Sequence, residues 1–359
     1  MGFLVSLLVL SFLIFFHELG HFFAARFFGV HVDVFSIGFG KKVVSKKIGD
    51  TEWRLSMIPL GGYVKMKGQD DNDPNKVSLD DDSYNMKKPW QRVIILVAGP
   101  FANFLTAFFL YFAVSQIGTP LSPLFDFTRY IPAKIGDFSE NSAAKAAGLD
   151  INDTIITIND IPIANWQEIG EVVQTQGDTL MLTVDRKGAL KEFTFSPILT
   201  TQKNRFGEDV ERKLVGISPY ISEEKLSFSF FDGVKFAYNE TLYASGLIYQ
   251  SIQKLITGAV GVDKLGGAIT IVDITAKASD AGIIALFLFT ALISVNLGVL
   301  NLLPIPALDG GHIMFNLYEM IRGKAPSENV LYRLTLIGWA ILFGLMFIGL
   351  YNDINRLMG

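Results

Sequence analysis

The chain has 359 residues, half of them hydrophobic, with a mean hydropathy of +0.36. Its net charge of −4 is uninformative, and the lack of a basic cluster with interleaved aromatic residues argues against a nucleic-acid partner. It contains no cysteine, which excludes disulfides and thiolate metal sites. This composition favours a membrane protein over an ordinary soluble domain.

Four apolar runs are each long enough to cross a hydrocarbon core, which takes about 20 helical residues. We therefore expect a multi-pass α-helical membrane protein with four transmembrane helices. Three runs contain no Lys, Arg, Asp or Glu, whereas the first holds an acid and two imidazoles, which are costly in lipid and indicate a function. The runs are Gly2–Arg26, Val93–Val114, Ala281–Leu303 and Leu334–Tyr351.

The distribution of Lys and Arg predicts the orientation, because these residues are retained on the cytoplasmic side near the ends of spans. The segment Gly29–Arg92 is rich in both and is expected inside, as is the link Gly310–Arg333. Residues of about 115–280 and both termini are then expected outside.

Short alternating runs in the first inside segment predict a membrane-associated β-sheet region. Val32–Ile37, Lys42–Lys47 and Glu52–Met57 precede a turn at Gly61-Gly62 that leads into another strand. We expect Gly61 and Gly62 to take part in substrate binding, because a β edge is suited to hold an extended peptide.

The outside segment contains a mostly β soluble domain with helices predicted at Ser142–Ala147 and Trp166–Thr175. After it, Val234–Ile256 shows apolar and aromatic residues at helical spacing with charges among them. This pattern predicts an amphipathic helix on the membrane surface rather than a fifth span.

The first span contains the pattern H-E-x-x-H at His17, Glu18 and His21. On a helix, residues four apart share a face, so both imidazoles can bind one tetrahedral zinc ion. Glu18 lies beside that face and is suited to act as the general base. Three ionisable groups in an apolar span favour zinc hydrolysis over a polar packing cluster.

A catalytic zinc site needs a third protein ligand and an open position. Asp309 is the preferred candidate, because it follows the third span at a segment with two prolines, on the same side as His17. His312 and His31 are the alternatives. The side chain of Asn301 is a candidate for holding the unwound substrate, and the irregular backbone after it suits a water-lined cavity.

At these motifs the sequence resembles the site-2 protease family, peptidase family M50, and most closely its bacterial regulator of sigma-E protease type. The resemblance covers nearly the whole chain. It rests on residues His17–His21, Phe35–Gly40, Ile58–Val64, Ala98–Asn103, Asn301–Asp309 and Asn352–Leu357.

The resemblance implies a zinc metalloendopeptidase of the bacterial inner membrane, with Zn²⁺ held by His17, His21 and Asp309, Glu18 as base and Asn301 on the substrate. It implies cleavage of single-span membrane proteins such as trimmed anti-sigma factors, and of remnant signal peptides. The active site is then expected toward the cytoplasm.

The outside domain resembles a PDZ domain and is expected in the periplasm. The resemblance implies Ile131–Gly136 as the strand beside its peptide groove. The best-known family members carry two such domains, whereas this chain has room for one. Two roles stay open for it: a size filter that rejects bulky substrates, or a binder of a new C-terminus.

Two rival functions are alternatives to a protease. A membrane scaffold with a PDZ-like domain and an inert or structural metal motif is the main alternative, and a transporter is disfavoured because no paired repeat is evident. The expected organisation is a first transmembrane helix at residues 1–28, the β region at 29–88, further transmembrane helices at 89–117, 281–311 and 330–352, the PDZ-like domain at 127–220 and the surface helix at 228–258.

Overall fold

The computed structural model describes residues 2–69, 78–118, 127–204, 208–221 and 226–358. The chain divides into two compact units. Residues 1–117 and 228–359 form the first unit, and residues 118–227 form the second.

Helices dominate the first unit, and strands dominate the second. The helices are α1 (Gly2–Phe27), α2 (Pro89–Ile117), α3 (Ala143–Ala146), α4 (Trp166–Thr175), α5 (Phe230–Ile256), α6 (Ala268–Asp280), α7 (Ile283–Asn301), α8 (Asp309–Arg322) and α9 (Glu328–Met358). The strands are β1 (Val32–Ile48), β2 (Thr51–Met66), β3 (Ile135–Phe138), β4 (Thr154–Ile158), β5 (Ile161–Pro162), β6 (Leu180–Arg186), β7 (Ala189–Phe195), β8 (Ile198–Lys203), β9 (Asp209–Leu214) and β10 (Ile217–Pro219).

Among the residues that the structure describes, four helices, α1, α2, α7 and α9, are long and apolar enough to cross a membrane. They coincide with the four predicted runs. α2 is the central helix and packs against α1, α5, α7 and α8. Small residues allow this close packing: a side chain at Gly20 of α1 would collide with the backbone carbonyl of Ala98 on α2.

The third predicted span is shorter than expected. α7 ends at Asn301, and α8 begins at Asp309 as a separate helix, so the expected single element of 281–311 is two helices with irregular chain between them. Pro304 and Pro306 explain the interruption, because proline lacks the N–H that an α-helix needs. α5 covers the residues of the predicted amphipathic helix, and its place on the membrane surface stays a prediction. α6 was not predicted.

The β region of the first unit is a sheet of four paired segments, or arms, and each of the long strands β1 and β2 contributes two of them. Residues Val34–Ile37 of β1 pair with Glu52–Leu55 on one side and, antiparallel, with Gly62–Lys65 on the other. The chain of β2 therefore reverses between these two arms, as the predicted turn requires. The outer side of the arm 62–65 pairs with no other strand in the described part of the chain.

The second unit is mostly β, as predicted. Its largest sheet has the strand order β5-β4-β6-β7, while β3 pairs with β10 and β8 with β9. The inward residues of β4 and β6, including Ile155, Ile158 and Leu182, pack with Ile169 and Val173 of α4. This alternation buries one face of the sheet beneath the helix.

A cavity of about 790 Å³ in the second unit lies between α4 and residues 210–217. The predicted groove strand, Ile131–Gly136, does not line it. The reason is topological: β10 pairs with β3 and takes the position next to the cavity.

Candidate metal centre

Three ligand atoms from two distant parts of the chain meet at one point in the first unit. His17 Nε2 lies 3.2 Å from His21 Nε2, and Asp309 Oδ2 lies 3.3 Å from the first and 3.5 Å from the second. His21 is buried, and the side chains of His17 and Asp309 are 13% and 18% exposed. Within the described residues, this is the group of three with metal-binding spacing.

The spacing of these atoms fits a zinc ion. Zinc bonds of about 2.0–2.1 Å in tetrahedral geometry place neighbouring ligand atoms roughly 3.3 Å apart. Asp309 Oδ2 is buried and has no hydrogen-bond partner among the described residues. A buried carboxylate oxygen without a donor is costly, and a cation at this point removes the cost.

The orientation of His21 is fixed by α2. His21 Nδ1 lies 2.8 Å from the backbone carbonyl oxygen of Ile95. Because a carbonyl only accepts, Nδ1 carries the proton and donates it, which leaves the Nε2 lone pair for a metal. Pro100 lies just beyond this turn inside α2, and a proline disturbs the local ladder of helix hydrogen bonds.

The orientation of His17 depends on Asn103. Asn103 Nδ2 lies 3.1 Å from His17 Nδ1, and Asn103 Oδ1 has no hydrogen-bond partner among the described residues, which favours exchanging the two amide atoms. The amide orientation that turns Oδ1 toward His17 lets Nδ1 donate to it. Both histidines then present a free Nε2, and Ser294 of α7 holds the Asn103 backbone by donating to its carbonyl at 2.7 Å.

Glu18 lies between the histidines and the β region. It is close enough to His17, His21 and Asp309 to interact with them electrostatically, and the backbone N–H of Val64 donates to its carboxylate. A Cβ at Gly62 would lie 3.1 Å from Glu18 Cγ. The arm of β2 that carries these residues therefore fixes the carboxylate beside the three ligand atoms.

Two sets of glycines make room for the cluster. A side chain at Gly99 of α2 would collide with His21 Nε2 and lie 2.9 Å from His17 Cε1. Side chains at Gly310 and Gly311 would collide with backbone atoms between Leu302 and Pro306. These close approaches let α8 start with Asp309 directed at the histidines.

The structure brings together four of the predicted site residues, namely His17, Glu18, His21 and Asp309. The alternative ligands are elsewhere: His312 lies one turn further along α8, and His31 lies 3.4 Å from Asp33.

The other predicted site residues differ in their surroundings. Asn301 is the last residue of α7 and is partly exposed, and its role in substrate binding stays a prediction. Gly61 and Gly62 lie on the β2 arm and leave room for Phe39 and for Glu18, respectively, so packing alone accounts for both glycines. Substrate contact at this pair stays a prediction.

Sequence reasoning missed the residues that position the two histidines and Glu18. These are Ile95, Gly99 and Asn103 of α2 and Val64 of β2. The run Ala98–Asn103 supplied a signal, because a glycine, a proline and an asparagine stand together inside an otherwise apolar helix.

Comparison with known proteins agrees with this geometry. The family model described as Peptidase family M50 matches residues 5–345. This chain belongs to peptidase family M50. The M50 peptidases that it resembles include a Campylobacter jejuni protein named "Putative zinc metalloprotease Cj1068", which is 47% identical over 99% of this chain and 94% of its own length.

Two further relatives have similar names. A Helicobacter pylori protein named "Putative zinc metalloprotease" is 40% identical over 99% of this chain and all of its own length. A Clostridium acetobutylicum protein named "Putative zinc metalloprotease CA_C1796" is 32% identical over 98% of this chain and 96% of its own length. As a member of the M50 family, the chain is a zinc-dependent metalloprotease with a membrane-protein architecture.

Proposed function

We propose that this M50 peptidase is an intramembrane zinc metalloendopeptidase that cleaves single-span membrane proteins within their transmembrane segments. The observation that carries the proposal is the position of the three ligand atoms: His17 and His21 lie inside an apolar helix long enough to cross a membrane. A hydrolytic centre at that depth is suited to act on substrate peptide bonds that also lie within the lipid bilayer.

The proposed residue roles follow from the geometry. His17, His21 and Asp309 hold the zinc ion, and Glu18 is the general base. When bound, zinc polarises the scissile carbonyl and makes water acidic enough to lose a proton near neutral pH. Glu18 accepts that proton and later delivers it to the leaving amine nitrogen, while the N–H of Val64 holds the carboxylate in position.

The substrate is proposed to bind as an extended strand. A transmembrane helix hides its peptide bonds in internal hydrogen bonds, so it must unwind before hydrolysis. The arm 62–65 of β2 lies beside Glu18 and has an unpaired outer side within the described residues. An unwound segment that pairs with this side gains backbone hydrogen bonds next to the metal centre. Asn301 is proposed to assist in holding it.

The membrane placement follows the distribution of basic residues. We propose a bacterial inner membrane location with the β region and the active site toward the cytoplasm.

The second unit is proposed as a PDZ-like periplasmic domain, as in proteases of the sigma-E regulating type. Support comes from the cavity between α4 and residues 210–217, whose volume suits several residues of an extended peptide. Whether it filters substrates by size or binds a new C-terminus is tested by deleting residues 130–220: faster cleavage of untrimmed substrates supports the filter.

Reconstitution with a single-span substrate tests the proposed function. Glu18→Gln should abolish cleavage and retain zinc, because it removes the base and keeps the ligands. Asp309→Asn should lose both zinc and cleavage. His312→Gln is the matched control and should retain zinc, since His312 lies one turn beyond the ligand cluster. Zinc content is measured by elemental analysis, and cleavage by mass spectrometry of the fragments.

The scaffold alternative makes the opposite prediction. If the protein only captures partners, the wild type will cleave no transmembrane segment, and Glu18→Gln will behave like the wild type. Zinc retention in Asp309→Asn together with zinc loss in His312→Gln would transfer the third ligand role to His312.

A further inference from the structure

The hairpin of residues 41–54 forms one edge of the sheet in the β region. Its arm 44–48 pairs with residues 51–55 of β2, and residues 52–55 pair in turn with residues 34–37 of β1. The arm 62–65, which contacts Glu18, forms the opposite edge of the same sheet. Every residue from Lys41 to Asp50 is exposed. The hairpin is therefore an edge that the rest of the described chain leaves uncovered.

One face of this sheet is apolar, and α1 covers only part of it. The rings of Phe35 and its register partner Trp53 stack with centroids 4.4 Å apart, and the ring of Phe22 on α1 lies 5.8 Å and 5.2 Å from them. Side chains alternate between the two faces of a sheet, so the register gives the residues that share the face of Trp53. The exposed apolar residues on this face, which we call the hairpin patch, are Val44, Ile48, Leu55 and Met57.

The opposite face of the hairpin is polar. Glu52 accepts a hydrogen bond from Lys42 at 3.2 Å and another from Arg54 at 2.6 Å. Ser45 is the register partner of Arg54, and Lys47 is the partner of Glu52, so both belong to this face. The hairpin is thus amphipathic, and the members of its patch are between 46% and 64% exposed. A contiguous apolar patch with a polar rim indicates a contact with a protein or a membrane.

Basic residues surround the hairpin patch. Residues 41–54 contain five basic and two acidic residues. Three lysines, Lys41, Lys46 and Lys47, form no ion pair within the part of the chain that the structure describes, and we call them the unpaired lysines. Lysine can lay its methylene stem along an apolar surface while its ammonium group reaches a polar layer. The hairpin therefore presents apolar side chains and positive charge together.

The position of the patch favours lipid as its occupant. The patch continues the face that packs on Phe22 of α1, and α1 is long and apolar enough to cross a membrane. Lipid that surrounds α1 is then the neighbour of this face. The boundary between headgroups and acyl chains offers apolar chains next to phosphates, which matches both the patch and the unpaired lysines. Anionic lipids match best, because they add net negative charge at this boundary.

We propose that the hairpin of residues 41–54 is a binding site for anionic phospholipid, with its patch against the acyl chains and the unpaired lysines at the headgroup phosphates. The inference requires α1 to span a bilayer, and it does not depend on the proposed protease activity. The hairpin and the arm 62–65 are two edges of one sheet. Lipid bound at the hairpin therefore also fixes the depth of the arm whose Val64 N–H holds Glu18.

Single-cysteine labels test the contact with lipid. The chain contains no cysteine, so Val44→Cys and Ser45→Cys each supply one site for a bimane label. The full chain is placed in bilayer nanodiscs, one copy per disc, which excludes a second copy as the occupant. Lipids with brominated acyl chains should quench the label at position 44 strongly and the label at position 45 weakly, because the two side chains lie on opposite faces. Equal quenching at the two positions would overturn the proposal.

The headgroup preference is measured with the label at position 44. Brominated phosphatidylglycerol and brominated phosphatidylcholine are compared at equal mole fractions. One Lys near an anionic surface changes an affinity about fivefold, so we expect the quenching to indicate a preference for phosphatidylglycerol of about fivefold or more. Equal quenching by the two lipids would exclude an anionic lipid site.

Lysine variants assign this preference to the hairpin. The triple variant Lys41→Gln, Lys46→Gln and Lys47→Gln should reduce the preference for phosphatidylglycerol to about twofold or less. The matched control removes the same charge from exposed lysines of the second unit, through Lys145→Gln, Lys187→Gln and Lys203→Gln, and should keep the wild-type preference. Both variants should retain zinc as the wild type does, which shows that the first unit stays folded. An unchanged preference in the hairpin variant would overturn the proposal.

Discussion

Asn103 of α2 is the residue that orients His17 of α1, with its amide 3.1 Å from the imidazole Nδ1. The contact joins residues 86 positions apart in sequence. It fixes which imidazole nitrogen carries the proton, and thus whether Nε2 is free for zinc.

Replacing Asn103 should weaken metal binding. We expect Asn103→Leu to lower zinc affinity by about 10- to 100-fold, because residues that hold a ligating histidine typically contribute this much. Asn103→Asp should keep the affinity near the wild-type value, since a carboxylate also accepts from Nδ1. Competition with a chromogenic chelator measures both. Equal affinities for the Leu and Asp variants would contradict the proposed role of the hydrogen bond.

A methyl group at Gly99 should displace the histidines. Gly99→Ala places Cβ against His21 Nε2, so we expect loss of zinc and of cleavage. Gly344→Ala is the matched control, because Gly344 lies in the α9 helix with nothing within 4 Å of its Cβ position. The control should be neutral or stabilise the helix by about 0.5–1 kcal/mol. Zinc content comparable to wild type in Gly99→Ala would contradict the close packing.

The carboxylate of Asp353 on α9 should stabilise the start of α6. It accepts hydrogen bonds from the backbone N–H groups of Gly267, Ile269 and Thr270 and from the Thr270 hydroxyl. Asp353→Ala removes this cap from α6, and we expect a loss of about 0.5–2 kcal/mol and faster proteolysis before α6. Asp273→Ala, exposed on α6, is the control. Equal proteolysis rates for the two variants would show that the cap contributes little.

Acid should destabilise the second unit through Asp153. Burial raises the pKa of Asp153. Arg186 donates a hydrogen bond of 2.7 Å to each carboxylate oxygen, and the N–H of Asp150 donates another. These hydrogen bonds outweigh the effect of burial and hold the pKa of Asp153 below its usual value. A carboxyl with a lowered folded-state pKa stabilises the fold above its unfolded pKa of about 3.9. This stabilisation is lost as the pH falls through the folded-state pKa.

The measurement for Asp153 is hydrogen exchange of β4 and β6 amides, corrected for the intrinsic effect of pH. Protection should be constant from about pH 5 to 8 and fall below pH 4. Asp153→Asn should lower protection at pH 7 by about 1–3 kcal/mol, because Arg186 loses its buried partner. Asp178→Asn, whose side chain is fully exposed, should match the wild type. If the Asp153→Asn variant loses protection below pH 4 as the wild type does, other carboxyls cause that loss.

Local sequence patterns determined the four apolar helices, the histidine pair and the mostly β second unit. These features depend on spacing within one element: the i, i+4 repeat puts His17 and His21 on one face, and about 20 apolar residues make a span. Asp309 could also be predicted from the sequence, because two prolines and two glycines mark an interrupted helix. The separate helix α8 could not be predicted from the sequence, since the end of the interruption depends on how Gly310 and Gly311 pack on the preceding loop.

Only the tertiary structure decided which groups hold the ligands. Ile95 and Asn103 contact the histidines across 74 and 86 residues of sequence, and Val64 reaches Glu18 from the β region. No periodicity within α1 or α2 encodes the rotation of one helix against the other. Because hydrogen bonds are short and directional, that rotation selects the carbonyl and the amide that face the imidazoles. The sequence alone determined the chemistry of the ligands, and the packing of α1 on α2 decided their orientation.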